Sequence, residues 1–397
     1  MVFLKNLVFS GPMNNLGYGI HYTNIAENLV KLFNDSPSLS DKIDLGIVPM
    51  NKTIRVSKAL ERKIAESIEF SYKCPTIFLY HLHGLHNMSG GYRIGYSVFE
   101  LDDFSKAEMN GINNSDEIWV VSKWAKEIVQ SKSPDKIVRV IPEGVNRQIF
   151  NEKDDYVNYR SNFDINICNI GKFEKRKGHI MLLEALHGIE SDNSIRLLAK
   201  WNNHFIPNFS NYINDILTKY GYRYIKNIED LNGYVALRYE SVRKDNVTVD
   251  IIMSDIQDHR FIRDLYRSSD FGVFPYFAEG WNLPLLEAMS CGLPCIANNY
   301  SGPTEYLNRD NHITFKNIRK EIAFDGIFFK GNNGTWMSVD AMEIAEKITY
   351  CINNIDNMGN IIASGIETAN KFTWENAALA MMDVIQNESP FKESITK

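Results

Sequence analysis

Short apolar runs of strand length recur along the chain, and most are followed by a longer stretch with helical spacing. This alternation restricts the fold more than any other feature. In the first part the runs are NLVFS (6–10), TIFLYHLHG (76–84), YRIGYSVFE (92–100), EIWVVS (117–122) and IVRVIPEGV (137–145). In the second they are INICNIGKF (165–173), SIRLLAKW (194–201), VTVDIIM (247–253), FGVFPYF (271–277) and PCIANNY (294–300), with helical patterns at 179–188, 259–269 and 284–291. After the first run, Ile25, Leu29, Leu32 and Phe33 share one face at a period of about 3.6. Asn24 with Glu27 predicts a capping box there. Strand–helix alternation predicts parallel sheets with helices on both faces. The polar stretch 146–164 reads as a linker, so the expected architecture is two αβα domains, 1–155 and 156–371, with a cleft between them. In open α/β sheets ligands bind beyond the carboxyl ends of the strands, which directs attention to the strand-to-helix turns.

The length of 397 residues suits two domains. Hydrophobic residues at 44% and charged residues at 23% exclude a disordered or collagen-like chain. With 43 Lys plus Arg against 49 Asp plus Glu, the net charge of −6 argues against a general polyanion binder but leaves room for a local basic site. No apolar run reaches the roughly 18 residues of a membrane helix. The opening MVFLKNLVFSGP, interrupted by Asn6, Ser10, Gly11 and Pro12, reads as a first strand rather than a signal peptide. No basic amphipathic helix marks a lipid-bound protein. The five cysteines are scattered, which suits neither a disulfide framework nor a zinc site and leads us to expect a cytoplasmic protein.

The most informative stretch is FGVFPYFAEGWNLPLLEAMSCGLPCIANNYSGPTEYL (271–307). A strand ends near Pro275, Glu279 lies in the turn, Pro284 suits the first helical position, and Gly292 can stop the helix in a left-handed conformation. Two carboxylates, Glu279 and Glu287, therefore bracket a helix N-terminus. The amides of Gly280, Trp281, Asn282 and Leu283 favour an anion such as a diphosphate. The acids can instead accept hydrogen bonds from hydroxyl groups attached to either end of it. A nucleotide sugar has that layout. A second candidate is NIGKFEKRKGHIMLLEAL (169–186), in which Lys172, Lys175, Arg176 and Lys177 crowd a turn framed by Gly171 and Gly178.

EGWNLPLLEAMSCGLPCIA resembles the E-x7-E signature of the retaining glycosyltransferases of GT-B fold and GT4 type, the group 1 family. The resemblance implies an α/β GT-B protein: two Rossmann-like αβα domains facing each other across a cleft, with 372–397 containing the helix that crosses back to the N-terminal domain. It implies that Glu279 contacts the transferred sugar and Glu287 the donor ribose. The family commonly has Gly where this chain has Asn282, and Asn tolerates positive φ. The basic turn resembles the family's G-R-x4-K-G element, with Lys172 in the Arg place and Lys177 in the Lys place. Lys172 cannot make a planar bidentate contact, a task Arg176 can take over. These cations make a divalent metal unnecessary, and no D-x-D triplet occurs; Asp102 and Asp103 are adjacent and face opposite ways on a strand.

In the first half, Gly17 and Gly19 form G-x-G without a third glycine, which is no dinucleotide fingerprint but a candidate ligand loop. In HLHGLH (81–86), strand alternation puts His81 and His83 on one face without further metal ligands. The family's usual site His falls at Phe99-Glu100, so His83 and Glu100 are the acceptor-side candidates. Ser122 ends a strand, and Glu143-Gly144-Val145 marks the turn before the linker. The implied activity is transfer of a sugar from a nucleotide-diphosphate sugar to an acceptor hydroxyl, with no cofactor. The acceptor stays open among a glycan, a glycoside, a protein and a modified nucleic acid. A sugar-nucleotide epimerase of the same fold and a degenerate binding module remain alternatives.

Overall fold

The computed structural model describes residues 5–40, 42–67 and 73–387. They divide into two compact units, one of residues up to Gly144 together with those from Phe372 onward, the other Val145–Lys371. The division falls ahead of the expected 155/156. The reason lies in the supposed linker, whose residues pack on the second unit. Arg147 donates to the Ser290 hydroxyl at 2.9 Å, Ser290 donates to the Phe150 carbonyl at 2.6 Å, and the Tyr159 amide donates to Ser268 at 2.7 Å.

The first unit is built on six parallel strands: β1 (Lys5–Met13), β2 (Ile43–Lys52), β3 (Thr76–Leu79), β4 (Arg93–Ser97), β5 (Glu117–Val120) and β6 (Ile137–Val140), in the order β2-β1-β3-β4-β5-β6. The first helix, Gly17–Asp35, starts well before Asn24. Asn24 and Glu27 therefore form no capping box: the Asn24 side chain donates to the Ile20 carbonyl, and Glu27 accepts from the amide and hydroxyl of Ser57. The helix Trp374–Asn387 belongs to this unit, and Trp374 lies 5.5 Å from the His21 ring. His21 is wholly buried, Nδ1 2.7 Å from Glu143 and Nε2 3.0 Å from the Tyr96 hydroxyl. A Cβ on Gly144 would meet the Thr373 and Trp374 backbone within 2.3 Å, so glycine is required where the chain passes this helix.

The second unit holds eight strands: β7 (Ile165–Lys172), β8 (Ile195–Asn202), β9 (Tyr222–Leu231), β10 (Tyr234–Ser241), β11 (Val247–Ile252), β12 (Phe271–Phe274), β13 (Cys295–Ala297) and β14 (Ile313–Thr314), in the order β14-β13-β12-β7-β8-β11-β10-β9. The all-parallel expectation fails at one edge, where β10 runs antiparallel to both β11 and β9. A separate antiparallel pair, β15 (Ile318–Phe324) and β16 (Lys330–Val339), follows β14. The central strands β7 and β11 are buried along most or all of their length, as parallel strands covered on both faces must be. All five cysteines are free and buried. Among the described residues no helix is long and apolar enough to cross a membrane.

Candidate active site

Two turns at the carboxyl ends of the neighbouring strands β7 and β12 carry the charged groups. After β7 the chain makes a short 3₁₀ turn, Lys175–Lys177, and reverses at Gly178, whose φ of 71° is left-handed. A Cβ there would lie 2.1 Å from the Pro275 carbonyl oxygen, so the glycine lets the two turns touch backbone to backbone. After β12 the chain reaches Glu279 and then Asn282, which takes φ 72°, ψ 67° and turns the chain into the helix Leu283–Ser290. Leu283 is thus the first helical residue and Pro284 the second. The amides of Leu285 and Leu286 bond back to the Asn282 carbonyl at 3.2 and 3.4 Å. Gly292 takes φ 73° just past the helix, as its stop signal required.

Glu279 is the centre of the site. It is 5% exposed, with Oε1 2.5 Å from Lys177 Nζ and Oε2 2.9 Å from Arg176 Nη1. Burial alone would raise its carboxyl, but the Arg176 and Lys177 cations outweigh that and hold it at about 2. Its backbone is fixed as well. The Glu279 amide donates to the Ser301 hydroxyl at 2.9 Å, and the Gly302 amide donates to the Glu279 carbonyl at 2.9 Å. A Cβ on Gly302 would approach the Gly280 oxygen to 1.7 Å. Trp281 is buried against Tyr306, whose hydroxyl donates to the Trp281 carbonyl at 2.9 Å. A small depression opens between Lys177, His179, Glu279 and Asn282.

The other cations sit differently from one another. Arg176 is buried, and its guanidinium is spent on the Ala278 carbonyl (2.6 Å), Glu174 (3.0 Å) and Glu279. It holds the two turns together and does not present a free fork, which corrects the expectation that it would replace the family arginine. Lys172 lies 2.5 Å from Glu174 Oε1, and its ammonium stands over the rings of Phe205 and Phe328 at 5.1 and 4.8 Å. One carboxylate, Glu174, therefore separates Lys172 from the Arg176–Glu279–Lys177 group. Burial opposes ionisation of Glu174, yet Arg176 and Lys172 bring its carboxyl below the usual range.

Glu287, one turn into the helix, behaves in the opposite way. The Tyr266 hydroxyl donates to it at 3.5 Å, and it has no ion-pair partner among the described residues. Burial pushes its carboxyl up to about 8. The sequence reading missed two members of the site. Glu174 was legible as the one acid amid four cations. His179 is buried, stacked on Phe173 at 5.0 Å, and burial followed by the Lys177 charge drives it down to about 3, so it is a neutral imidazole.

The remaining candidates lie in the first unit. Gly17 opens its helix, and a Cβ there would meet nothing; on Gly19 it would strike the Asn14 carbonyl at 2.2 Å, which gives that glycine a packing reason. His81 and His83 are not on a strand, because β3 ends at Leu79 and a 3₁₀ helix spans Leu82–Asn87. Their rings nevertheless stack, 5.4 Å apart and 20° from parallel, with both residues exposed. Glu100 follows the end of β4, half-buried, in the neighbourhood of Tyr18. Ser122 caps the helix Lys123–Lys132 by accepting the Ala125 amide at 3.1 Å.

This architecture is that of the GT-B glycosyltransferases. It is similar to the sucrose-phosphate synthase of Thermosynechococcus elongatus, at 15% identity and a TM-score of 0.60, over 96% of this chain and 98% of that one. It is equally similar to Anabaena HepE solved with UDP, at 11% identity and a TM-score of 0.60, over 97% and 100% of the two chains. A glycosyltransferase from Rickettsia africae matches at 14% identity and a TM-score of 0.59, over 100% and 99%. Residues 237–354, which contain both Glu279 and Glu287, match the family model described as Glycosyl transferases group 1. A 112-residue stretch is 29% identical to the O-antigen chain mannosyltransferase B of Escherichia coli; it makes up 28% of this chain and spans only 24% of that protein.

Proposed function

We propose that this protein is a retaining glycosyltransferase that moves a sugar from a nucleotide-diphosphate donor to an acceptor hydroxyl without a divalent metal or other cofactor. The observation that carries the reading is the placement of Glu279 between Arg176 and Lys177 on the turn that enters the helix Leu283–Ser290, with Glu287 one turn further on. In this reading Lys177, helped by Lys172 and the 280–283 amides, holds the donor diphosphate. Arg176 braces Glu279, and Glu279 fixes the sugar hydroxyls. Glu287 accepts from the ribose. Fixed cations and amide dipoles stabilise the charge that builds on the departing diphosphate, an effect of about 10²–10³ in rate for each preorganised donor. The acceptor hydroxyl attacks on the face from which the diphosphate leaves, through an oxocarbenium-like state. Gly17, Gly19, His83 and Glu100 are proposed to serve the first unit's share of donor and acceptor binding.

The HepE complex with UDP makes uridine nucleotides the first donors to try. The E. coli relative makes a glycan chain the first acceptor class. Five free thiols suit a reducing compartment, and we place the protein in the cytoplasm. A thermal-shift panel of UDP-glucose, UDP-N-acetylglucosamine and GDP-mannose identifies the donor, and NMR of the product gives its anomeric configuration. Lys177→Ala and Glu287→Ala should each depress transfer and donor hydrolysis. Near wild-type rates in both would remove the assignment.

A further inference from the structure

The hairpin β15–β16 has an apolar outer side, of which Phe328, with Phe205 beside it, flanks Lys172, while Ile322, Phe324 and Ile327 take no part in the proposed chemistry. Ile322 and Phe324 on the strand are 63% and 52% exposed, Ile327 and Phe328 at the tip are 46% and 42% exposed, and Phe205 beside Phe328 is 54% exposed. The tip is built, not collapsed: Asp325 Oδ1 accepts the amides of Ile327, Phe328 and Phe329, each at 2.8 Å. The inner side is anchored by Ala323 and Trp336, both fully buried, with the Trp336 indole donating to Glu321 at 2.7 Å. Between 316 and 330 the chain carries four basic residues, Lys316, Arg319, Lys320 and Lys330, all exposed, and two acidic ones. Both acids are turned to internal donors, Glu321 to Trp336 and Asp325 to the tip amides. An acidic chain thus presents one locally basic, aromatic-tipped hairpin.

We infer that this hairpin docks on an anionic lipid bilayer, with Ile322, Phe324 and Ile327 entering the headgroup region and the flanking basic residues meeting lipid charge. A few exposed side chains give weak partitioning alone, and each basic residue near an anionic surface adds to it. Charge decides against a second copy as the occupant, because patch-to-patch pairing would bring basic rims together. Docking would bring the site loop to the membrane, since the Met337 amide donates to the Phe277 carbonyl at 3.0 Å, two residues before Glu279. The inference does not depend on glycosyl transfer, because its test contains no donor.

The full chain is sedimented with phosphatidylcholine vesicles and with vesicles that also contain phosphatidylglycerol. Binding is expected on the second only, and it weakens with salt. Lys320→Ala with Lys330→Ala should lower partitioning about thirtyfold, at roughly 1 kcal/mol per basic residue. Ile322→Ser with Ile327→Ser should abolish it while leaving the melting curve in place. The inference is overturned if the wild type ignores phosphatidylglycerol vesicles, if the serine variant still binds them, or if light scattering shows a dimer that the serine variant breaks and no vesicle binding.

Discussion

Glu279→Gln separates a phosphate site from a merely structural ion cluster, because the two predict opposite signs. Removing the charge leaves Lys177 without its counter-ion and Arg176 with Glu174 as its remaining carboxylate. At roughly 5 Å and an effective dielectric of about 20, one unit charge is worth about 3 kcal/mol; water in the site reduces this to about 1–2 kcal/mol, near tenfold in Kd. Pyrophosphate or the free nucleoside diphosphate should therefore bind about tenfold tighter to the variant by titration calorimetry, while sugar transfer falls. Stability moves the other way. Glu279 is 5% exposed and its carboxyl sits at about 2 rather than its ordinary 4.5, so its partners stabilise the fold by roughly 3 kcal/mol at neutral pH. That contribution is present above the unfolded value and is lost as pH falls toward about 2. The melting difference between wild type and variant should shrink over that acid range. Equal or weaker diphosphate binding by the variant would refute the reasoning and make Lys177 and Arg176 packing partners of Glu279 only.

Burial keeps Glu287 protonated up to about pH 8, so a ribose that donates to its carboxylate must displace a proton. Donor affinity should rise as pH rises toward about 8, and Glu287→Gln should flatten the profile. Gly178→Ala should cost at least about 2 kcal/mol in denaturant unfolding, since left-handed backbone and contact with the Pro275 oxygen act together. At position 282 Gly should be tolerated within a few tenths of a kcal/mol and Ala should cost about 1, because φ is 72° there. Trp374→Ala should destabilise the first unit by about 3–5 kcal/mol in the same assay, through loss of its packing on His21.

The central strands were legible because strands covered on both faces read as continuous apolar runs, as in INICNIGK and VTVDII. The β9–β10 hairpin was missed because charges dilute YRYIKNIEDL, although Asn232-Gly233, with φ of 52° and 83°, is the strongest short hairpin signal. The capping box failed because the helix began at Gly17, where no local cap residue announces it. Motif spacing singled out Glu279, Glu287 and Lys177, of which the structure brings Glu279 and Lys177 together. The task of Arg176 was not legible, because its partners Ala278 and Glu279 lie about a hundred residues away, and it takes the pairing of β7 with β12, the Gly178–Pro275 contact and the Phe277 amide donating to the Arg176 carbonyl at 2.7 Å to bring them near. Glu174 stands out in the sequence as the one acid amid four cations, but its place between Lys172 and Arg176 comes only with the 3₁₀ turn.

Two bare glycines, 178 and 302, press their backbones onto Pro275 and Gly280 with no room for a methyl group. The frame of the candidate site is thereby locked at both ends by atoms every residue type shares. Variation in the proposed donor site must then proceed by exchanging side chains on a fixed backbone, such as Asn282, which holds φ 72° without being glycine. A library aimed at altered sugar preference should vary 179, 281 and 282 and leave both glycines alone.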